Sequence, residues 1–483
     1  MRTVLIDPPT SHEQIYGDWD LSKVDTYCPP LGLLYIASLV REHGHTPHVL
    51  DLTARKWSLA QAVEFVTEID PGLVGISAKT INIHNAARLA ENLKQAGLDC
   101  PIVLGGAHIT AVPVETLSRF EPFDLGVIGE GELTYLELIR RLQQGDPISD
   151  VQGIVRRGDF GEVLVNPRRP PIEDLDQLPL PAWDLLPEFP HGYKHSALET
   201  KRLPSASIIS SRGCPYSCTF CDNAVFGTRV RHHSAEYTLE MIRHLEKEYG
   251  VRDLMILDDN FLLKRDKLNQ ICDSLVRDGD DLTWYCIGHA KFMTEDRMQK
   301  IREAGCWFIE LGIESGCDRI LKVIKKNTSK MEIAEAVRQA RRAGLKVKGN
   351  FIFGLPTETK ESMEESTQFA IGIGLSHFQQ NFLTIWPGCE ISAEPEKYGA
   401  LKGDWESMAH QRITYLPHGL TEADLIAASK SAFRRFYFRP VIIMETLLSL
   451  TSARAIKATL TAFVVFLRTI FRRTAHRNQP SMS

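Results

Sequence analysis

The chain has 483 residues, 43% hydrophobic and 24% charged, with 33 glycines, 25 prolines and ten cysteines. That is globular composition for two or three domains, and it excludes collagen-like, low-complexity and disulfide-stapled chains. The net charge of −5 indicates no partner by itself, but it is unevenly spread. From Leu425 onward ten Lys and Arg face one acid, Glu445, so the tail carries +9 and the rest −14.

The opening MRTVLIDPPT lacks the apolar core of a secretion signal and reads as a first strand. The longest run without Asp, Glu, Lys or Arg, Ser366 to Cys389, holds Gln, Asn, His and glycine and is not a membrane span. The expectation is a cytoplasmic enzyme, where clustered cysteines mean metal more often than disulfide.

Residues 1–145 alternate apolar strands with helical periodicity. The strands are Thr3–Ile6, Pro47–Leu50, Leu73–Ser77, Ile102–Leu104 and Leu125–Ile128. The helices are Leu31–Glu42, Leu59–Ile69, Asn85–Gln95, Val114–Phe120 and Thr134–Gln143. This predicts a doubly wound, Rossmann-like parallel sheet that binds ligands beyond its carboxyl strand ends. Those ends carry Asp7-Pro8-Pro9, Asp51-Leu52-Thr53, Ser77-Ala78, Gly105-Gly106-Ala107-His108 and Gly129-Glu130-Gly131-Glu132.

Residues 146–205 form an expected connector, with seven prolines between Asn166 and Pro190. Within 206–390, six strands are expected at Ala206–Ser210, Leu254–Leu257, Thr283–Ile287, Trp307–Ile313, Val347–Phe353 and Phe378–Ile385. Helices such as Ala235–Tyr249, Asp266–Arg277, Glu295–Ala304 and Lys330–Ala343 fall between them. Six such units predict a partial (β/α)6 TIM-type barrel with its chemistry at the C-terminal strand ends.

Cys214-Pro-Tyr-Ser-Cys218-Thr-Phe-Cys221 follows the first barrel strand. Three thiolates on one loop can hold three corners of a [4Fe–4S] cube and leave the fourth iron open. A zinc knuckle needs a fourth ligand at short spacing, and the nearest candidates, His232 and His233, stand 11 and 12 residues on. The other cysteines, 28, 100, 272, 286, 306, 317 and 389, are scattered and are expected mostly as small buried apolar residues.

With these motifs in order, residues 206–388 resemble the radical S-adenosylmethionine (SAM) superfamily. The resemblance implies that Cys214, Cys218 and Cys221 bind the cluster and that Phe220 packs on the adenine. It implies that Asp258 and Asp259, in Asp258-Asp259-Asn260-Phe261, bind the methionine amino end, and that Glu314 meets the ribose. Gly354, in Gly349-Asn-Phe-Ile-Phe-Gly-Leu-Pro356, would offer backbone to the adenine edge. The implied chemistry is one-electron cleavage of SAM to a 5′-deoxyadenosyl radical, fed by a one-electron reductant such as flavodoxin or ferredoxin. A structural alternative stands for the acids: Asp258 or Asp259 could cap the following turn.

The first domain lacks Gly-x-Gly-x-x-Gly after its first strand, which argues against a dinucleotide. On Pro29-Pro30-Leu31-Gly32, the two glycine loops and Leu178-Pro-Leu-Pro-Ala-Trp183-Asp184, it resembles the cobalamin-binding module that precedes many radical SAM enzymes. That implies contacts to cobalamin from Ser77, Gly105, Gly106, His108, Gly129, Glu130 and Gly131. No histidine has Asp two positions before it, so the Asp-x-His-x-x-Gly lower-ligand motif is absent and cobalt is expected to be held without a protein histidine. An empty scaffold without cobalamin is the alternative.

Residues 391–483 end in a basic amphipathic stretch, with Ile456, Leu460, Phe463, Val464, Leu467, Ile470 and Phe471 on one stripe and Arg454, Arg468 and Arg472 opposite. It is expected to pack on the barrel, with peripheral membrane contact as the alternative. Nucleic-acid binding is not indicated. The resulting expectation is a cobalamin-dependent radical SAM methyltransferase acting on an unactivated carbon of a small-molecule or lipid-like substrate. Two alternatives stay open: a radical SAM cyclase or other C–C bond-forming enzyme without net methyl transfer, and a non-catalytic cobalamin or Fe–S sensor.

Overall fold

The computed structural model describes residues 1–11, 14–15, 27–193, 196, 199–279 and 281–448. The amphipathic stripe from Ile456 to Phe471 lies outside the described residues. Among the described residues no helix is long and apolar enough to cross a membrane.

The first sheet runs β2-β1-β3-β4-β5-β6-β7. Its strands are β1 (Arg2–Asp7), β2 (Thr46–Asp51), β3 (Leu73–Ser77), β4 (Ile102–Gly105), β5 (Leu125–Val127), β6 (Ile154–Arg157) and β7 (Val163–Val165). The first five are parallel, each buried on both faces by the flanking helices, which is why they read as continuous apolar runs. The last two pair antiparallel as a hairpin that extends the sheet. This corrects the expectation of an extended connector from residue 146: the proline-rich composition that precludes regular pairing begins only at Pro167.

The second sheet is an open, all-parallel partial barrel. Its strands in chain order are β8 (Ser205–Ile208), then the short pair β9 (Ser211–Arg212) and β10 (Arg231–His232) outside it, then β11 (Asp253–Ile256), β12 (Thr283–Gly288), β13 (Cys306–Glu314), β14 (Lys346–Phe353) and β15 (His377–Phe382). Helices follow as expected, each ended by its own chemistry. Ala235–Tyr249 starts on Ser234, whose side chain accepts from Tyr237 N, and stops at Gly250 in the left-handed conformation. The helix Lys360–Gly372 fills the expected interval between the last two strands, with Ser362, Ser366 and Thr367 on its buried face.

One hydrophobic core runs through both domains and the connector, where Trp183 is fully buried. The region after residue 390 reaches back to the first domain. Trp405 stacks edge-on to His108 at 4.4 Å, and Glu406 pairs with Arg88 at 2.8 Å. Of the scattered cysteines, Cys272, Cys286, Cys306, Cys317 and Cys389 are buried as expected, Cys100 is half-buried and Cys28 is accessible.

Candidate active site: two cofactor cradles on one seam

The cysteine loop leaves β9 and returns through β10. Gly213 opens it at φ +91°, and a Cβ there would stand 2.7 Å from the Arg229 carbonyl, so only glycine permits the crossing into Cys214. The loop is pinned at Thr219, whose N–H donates to the Ile324 carbonyl and whose carbonyl accepts from Ile391 N, both at 3.1 Å. Cys218 Sγ lies 3.9 Å from the Lys325 carbonyl and Cys221 Sγ 3.7 Å from Asn223 Oδ1. Tyr216 stacks on His289 at 4.3 Å, closing one flank.

Burial raises the Cys214 and Cys218 thiols, and burial followed by the nearby Cys218 pushes Cys221 up to about 12. Burial and their mutual proximity keep the three as neutral thiols, so they become thiolates only when a metal centre takes the place of their protons. Lys326 is the protein's own cation there. Burial alone would lower its ammonium, but Glu314 and Cys218 outweigh that and hold it above its ordinary value. No three His, Cys, Asp or Glu side chains among the described residues close round one point as a mononuclear site requires.

The structure separates the two aspartates. Both Asp258 oxygens are committed: Oδ1 accepts from Ser210 N at 2.5 Å, and Oδ2 from the Ser210 and Ser211 hydroxyls at 2.7 Å. Asp258 therefore braces the segment leading into the cysteine loop. Lys267 donates to the same Ser210. Asp259 is accessible; burial and Asp258 raise its carboxyl, and it is close enough to Cys214 and Cys221 to raise their thiols. Next to it, Asn260 is 4% exposed, and neither atom of its amide has a partner.

Glu314 closes β13 at φ +67° and pairs with Lys326 at 2.8 Å, so its carboxylate is already engaged where a ribose contact was expected. Phe220 is half-buried against the core. The Gly354 N–H is also taken: Glu358 accepts it at 2.6 Å and the Leu355 N–H at 3.1 Å. Burial raises the Glu358 carboxyl to about 8, which keeps a proton on its unpartnered oxygen at neutral pH. Gly354 therefore has only its carbonyl to offer. The donor set on the loop, the adjacent cation and the unpartnered Asn260 amide fit a thiolate-held cluster with a small polar ligand beside it.

The second cradle is a cleft of about 880 Å³, including its mouth, between the first sheet, the helix Leu31–Glu42 and the barrel. Leu5, Leu33, Val103, Val127 and Tyr135 form its apolar depth. Ser77, Gly105, Gly106, Gly129, Glu130 and Gly131 form its rim, and Ile209, Arg212 and Phe226 close it from the barrel side. Gly32, Gly105 and Gly129 have nothing within 4 Å of where a Cβ would stand. These are openings that a large flat ligand can reach down to the backbone. Gly106 serves otherwise: at φ +99° a Cβ would meet the Ala78 carbonyl at 2.6 Å, so it permits a close strand-end crossing. Gly105→Val is expected to leave urea stability unchanged within about 0.5 kcal/mol and to weaken cobalamin retention about tenfold or more. Chromophore remaining after gel filtration checks it; full retention contradicts the cradle.

His108 does not line the cleft. It is fully buried beside Trp405, its Nδ1 is 3.1 Å from Thr80 Oγ1, and burial lowers it to about 3. The expected cofactor contact is therefore replaced by a packing role under the C-terminal region. Glu130 lines the cleft but is committed: Oε2 accepts from Ile172 N at 2.9 Å and Oε1 pairs with Arg231.

Arg212 and Arg231 were missed by sequence reasoning, as was Glu132 as the partner of Arg212. Arg212 Nη2 donates to Glu132 Oε1 at 2.6 Å, and its Nη1 lies 3.6 Å from Glu130 Oε2, all less than a tenth exposed. The guanidinium lies over the Tyr35 and Phe226 rings at 5.4 Å. Arg231 also donates to the Ile172 carbonyl at 2.7 Å. The only signal available in one sequence was the position of Arg212, two residues before Cys214.

A family model for the Radical SAM superfamily matches residues 208–370, and one for the B12 binding domain matches residues 19–139. The chain is 30% identical over 453 residues to an uncharacterized methyltransferase of Pyrococcus horikoshii, covering 92% of this chain and 94% of that one. It is 26% identical over 452 residues to the anaerobic magnesium-protoporphyrin IX monomethyl ester cyclase of Rubrivivax gelatinosus, covering 92% and 78%. In fold it is similar to the radical SAM methyltransferase TsrM from Kitasatospora setae solved with cobalamin and a [4Fe–4S] cluster, with TM-score 0.68, 18% identity, and coverage of 91% and 89%. The chain therefore belongs to the radical SAM enzymes that carry an N-terminal B12-binding domain, whose cofactors are a [4Fe–4S] cluster, S-adenosylmethionine and cobalamin.

Proposed function

We propose that the protein is a cobalamin-dependent radical SAM methyltransferase acting on an unactivated carbon of a small-molecule substrate. One observation carries the reading. Arg212 lines the wall of the first-domain cleft, and Cys214, two residues later, begins the cysteine loop. Two residues span at most about 7 Å, so the two cradles share a wall. A methyl carrier and a radical source have to lie this close for one substrate carbon to meet both in turn.

When bound, the cluster and SAM supply the 5′-deoxyadenosyl radical and cobalamin supplies the methyl group. The chain's own residues do the rest. Cys214, Cys218 and Cys221 provide the thiolates, and Lys326 offsets their negative charge. Asp259 and Asn260 offer polar contacts beside the loop, and Asp258 fixes the approach of that loop through Ser210 and Ser211. Glu130, Glu132, Arg212 and Arg231 close the seam between the cradles and exclude water from it.

The test is anaerobic reconstitution with reductant and SAM. Formation of both 5′-deoxyadenosine and S-adenosylhomocysteine is the expected result. 5′-Deoxyadenosine without S-adenosylhomocysteine favours chemistry like that named for the cyclase relative. No SAM cleavage with a full cluster and several reductants favours the sensor.

A further inference from the structure

The end of the barrel opposite the cysteine loop carries an exposed apolar helix. The cysteine loop follows the carboxyl end of β8, and the sheet is all-parallel, so the first residues of β14 and β15, Lys346 and His377, lie at the other end, the foot. The helix Pro440–Leu448 lies against this foot. Just before it, Arg439 Nη1 donates to the Ile371 carbonyl at 2.8 Å. Within it, Glu445 pairs at 3.2 Å with Arg341, which also donates to the Gly374 carbonyl at 2.8 Å. Ile442 is 6% exposed and packs into the core, whereas Val441, Ile443 and Met444 are 52%, 44% and 57% exposed. The two polar side chains of the helix are already used, Glu445 by Arg341 and Thr446 by the Ile442 carbonyl. A helix apolar on nearly every side is normally covered.

Cations stand at the same end. Arg302, Arg342 and Lys346 are exposed on the segments that lead into β13 and β14, and their side chains have no hydrogen-bond or ion-pair partner among the described residues. Arg302 Nε is 3.5 Å from where a Cβ on Gly344 would stand, so these two segments touch. Lys201, exposed ahead of β8, is close enough to Arg302 and Lys346 that they add to burial in lowering its ammonium. The acids nearby are engaged: Asp281 pairs with Arg202 and Arg252, and Glu303 accepts from Gln299. Beyond Leu448 the chain runs on for 35 residues with six Lys or Arg and no acid.

We propose that the foot of the barrel seats on the anionic surface of a phospholipid bilayer. Val441, Ile443 and Met444 enter the boundary between headgroups and acyl chains, and Arg302, Arg342 and Lys346 meet headgroup phosphates. Charge selects this cover over the others. Folding the basic tail back over the helix would bring its cations toward the three unpaired cations of the foot, and a second copy would bring the same cations together across a two-fold contact. An anionic surface neutralises both the foot and the tail. The residues before Leu425 carry −14, so the same surface repels the body of the protein and admits it foot first. The catalytic strand ends lie at the other end of the barrel, so the bilayer tethers the enzyme without covering its site.

The experiment is sedimentation of the full-length holoenzyme with vesicles, one set of phosphatidylcholine alone and one an equal mixture of phosphatidylcholine and phosphatidylglycerol. Cosedimentation with the mixed vesicles alone, weakened by salt, is expected. No cosedimentation with either set, or equal cosedimentation with both, overturns the proposal. Ile443→Ser/Met444→Ser and Arg302→Ala/Arg342→Ala/Lys346→Ala are each expected to weaken binding to the mixed vesicles about tenfold or more, with cluster iron and SAM cleavage unchanged. Binding that both variants keep in full would place it on the tail alone and overturn the contact at the foot. Light scattering without vesicles is expected to give a monomer. A dimer that Ile443→Ser/Met444→Ser splits would make a second copy the cover and overturn the proposal as well.

Discussion

Replacing Cys218 by alanine is expected to abolish SAM cleavage while leaving the chain folded and able to take up cobalamin. Cys218 is the middle thiol of its loop, half-buried beside the Lys325 carbonyl, and it is close enough to Cys214 and Cys221 to raise the Cys221 thiol. Two remaining thiolates cannot hold the cube. The fold does not depend on that thiol, because Thr219 is anchored by backbone hydrogen bonds at both its N–H and its carbonyl. Iron and sulfide per chain should fall to background, and 5′-deoxyadenosine should fall below detection. Cobalamin absorbance and the urea midpoint of the apo-chain should match the parent. A Cys218→Ala chain that keeps its cluster and cleaves SAM would sink the assignment of the loop.

Arg212→Met should cost about 3–5 kcal/mol of stability, the penalty for leaving a buried carboxylate without its partner. Glu132 is 4% exposed and pairs with Arg212 at 2.6 Å. Removing the acid as well, in Arg212→Met/Glu132→Leu, should recover most of the loss, since a well-packed apolar pair often equals a buried ion pair. Urea denaturation of the apo-chains measures both. A single variant that loses less than about 1 kcal/mol would mean that the seam is wet and that the pair is screened. The functional consequence differs from that of Cys218. Radical formation needs only the barrel, whereas methyl transfer needs both cradles in register. In the double variant, 5′-deoxyadenosine should therefore persist while S-adenosylhomocysteine and methylated product fall.

Much of the molecule was legible because its signals are local. The β3 strand and the helices Leu31–Glu42, Leu59–Ile69 and Ala235–Tyr249 lie where apolar periodicity places them. In those segments burial on both strand faces, or on one helix face, leaves a pattern within a dozen residues. The hairpin of β6 and β7 was illegible because its strands are three or four residues long and carry no alternation of their own; they pair only because β5 offers an open edge.

The site divides in the same way. The three cysteines declared themselves by spacing, and the glycines at Gly105 and Gly129 by their place at strand ends. The roles of the polar residues could not be read, because each depends on a partner far along the chain. Asp258 is satisfied by Ser210, 48 residues away, and Glu130 by Arg231, 101 residues away. His108, set in a glycine-rich loop, instead meets Trp405.

The sequence by itself determined the parallel α/β elements and the cluster loop, because spacing along one segment dictates local geometry and ligand chemistry, and its resemblance to known families carried the kinds of cofactor. Only the tertiary structure decided which acids are braces and which face a ligand. It also decided that a buried ion-pair seam joins the two cradles. Those properties depend on which side chains, distant in the chain, are brought out of water together, and burial together is what turns a charge from a solvated surface group into either a strut or a binding site.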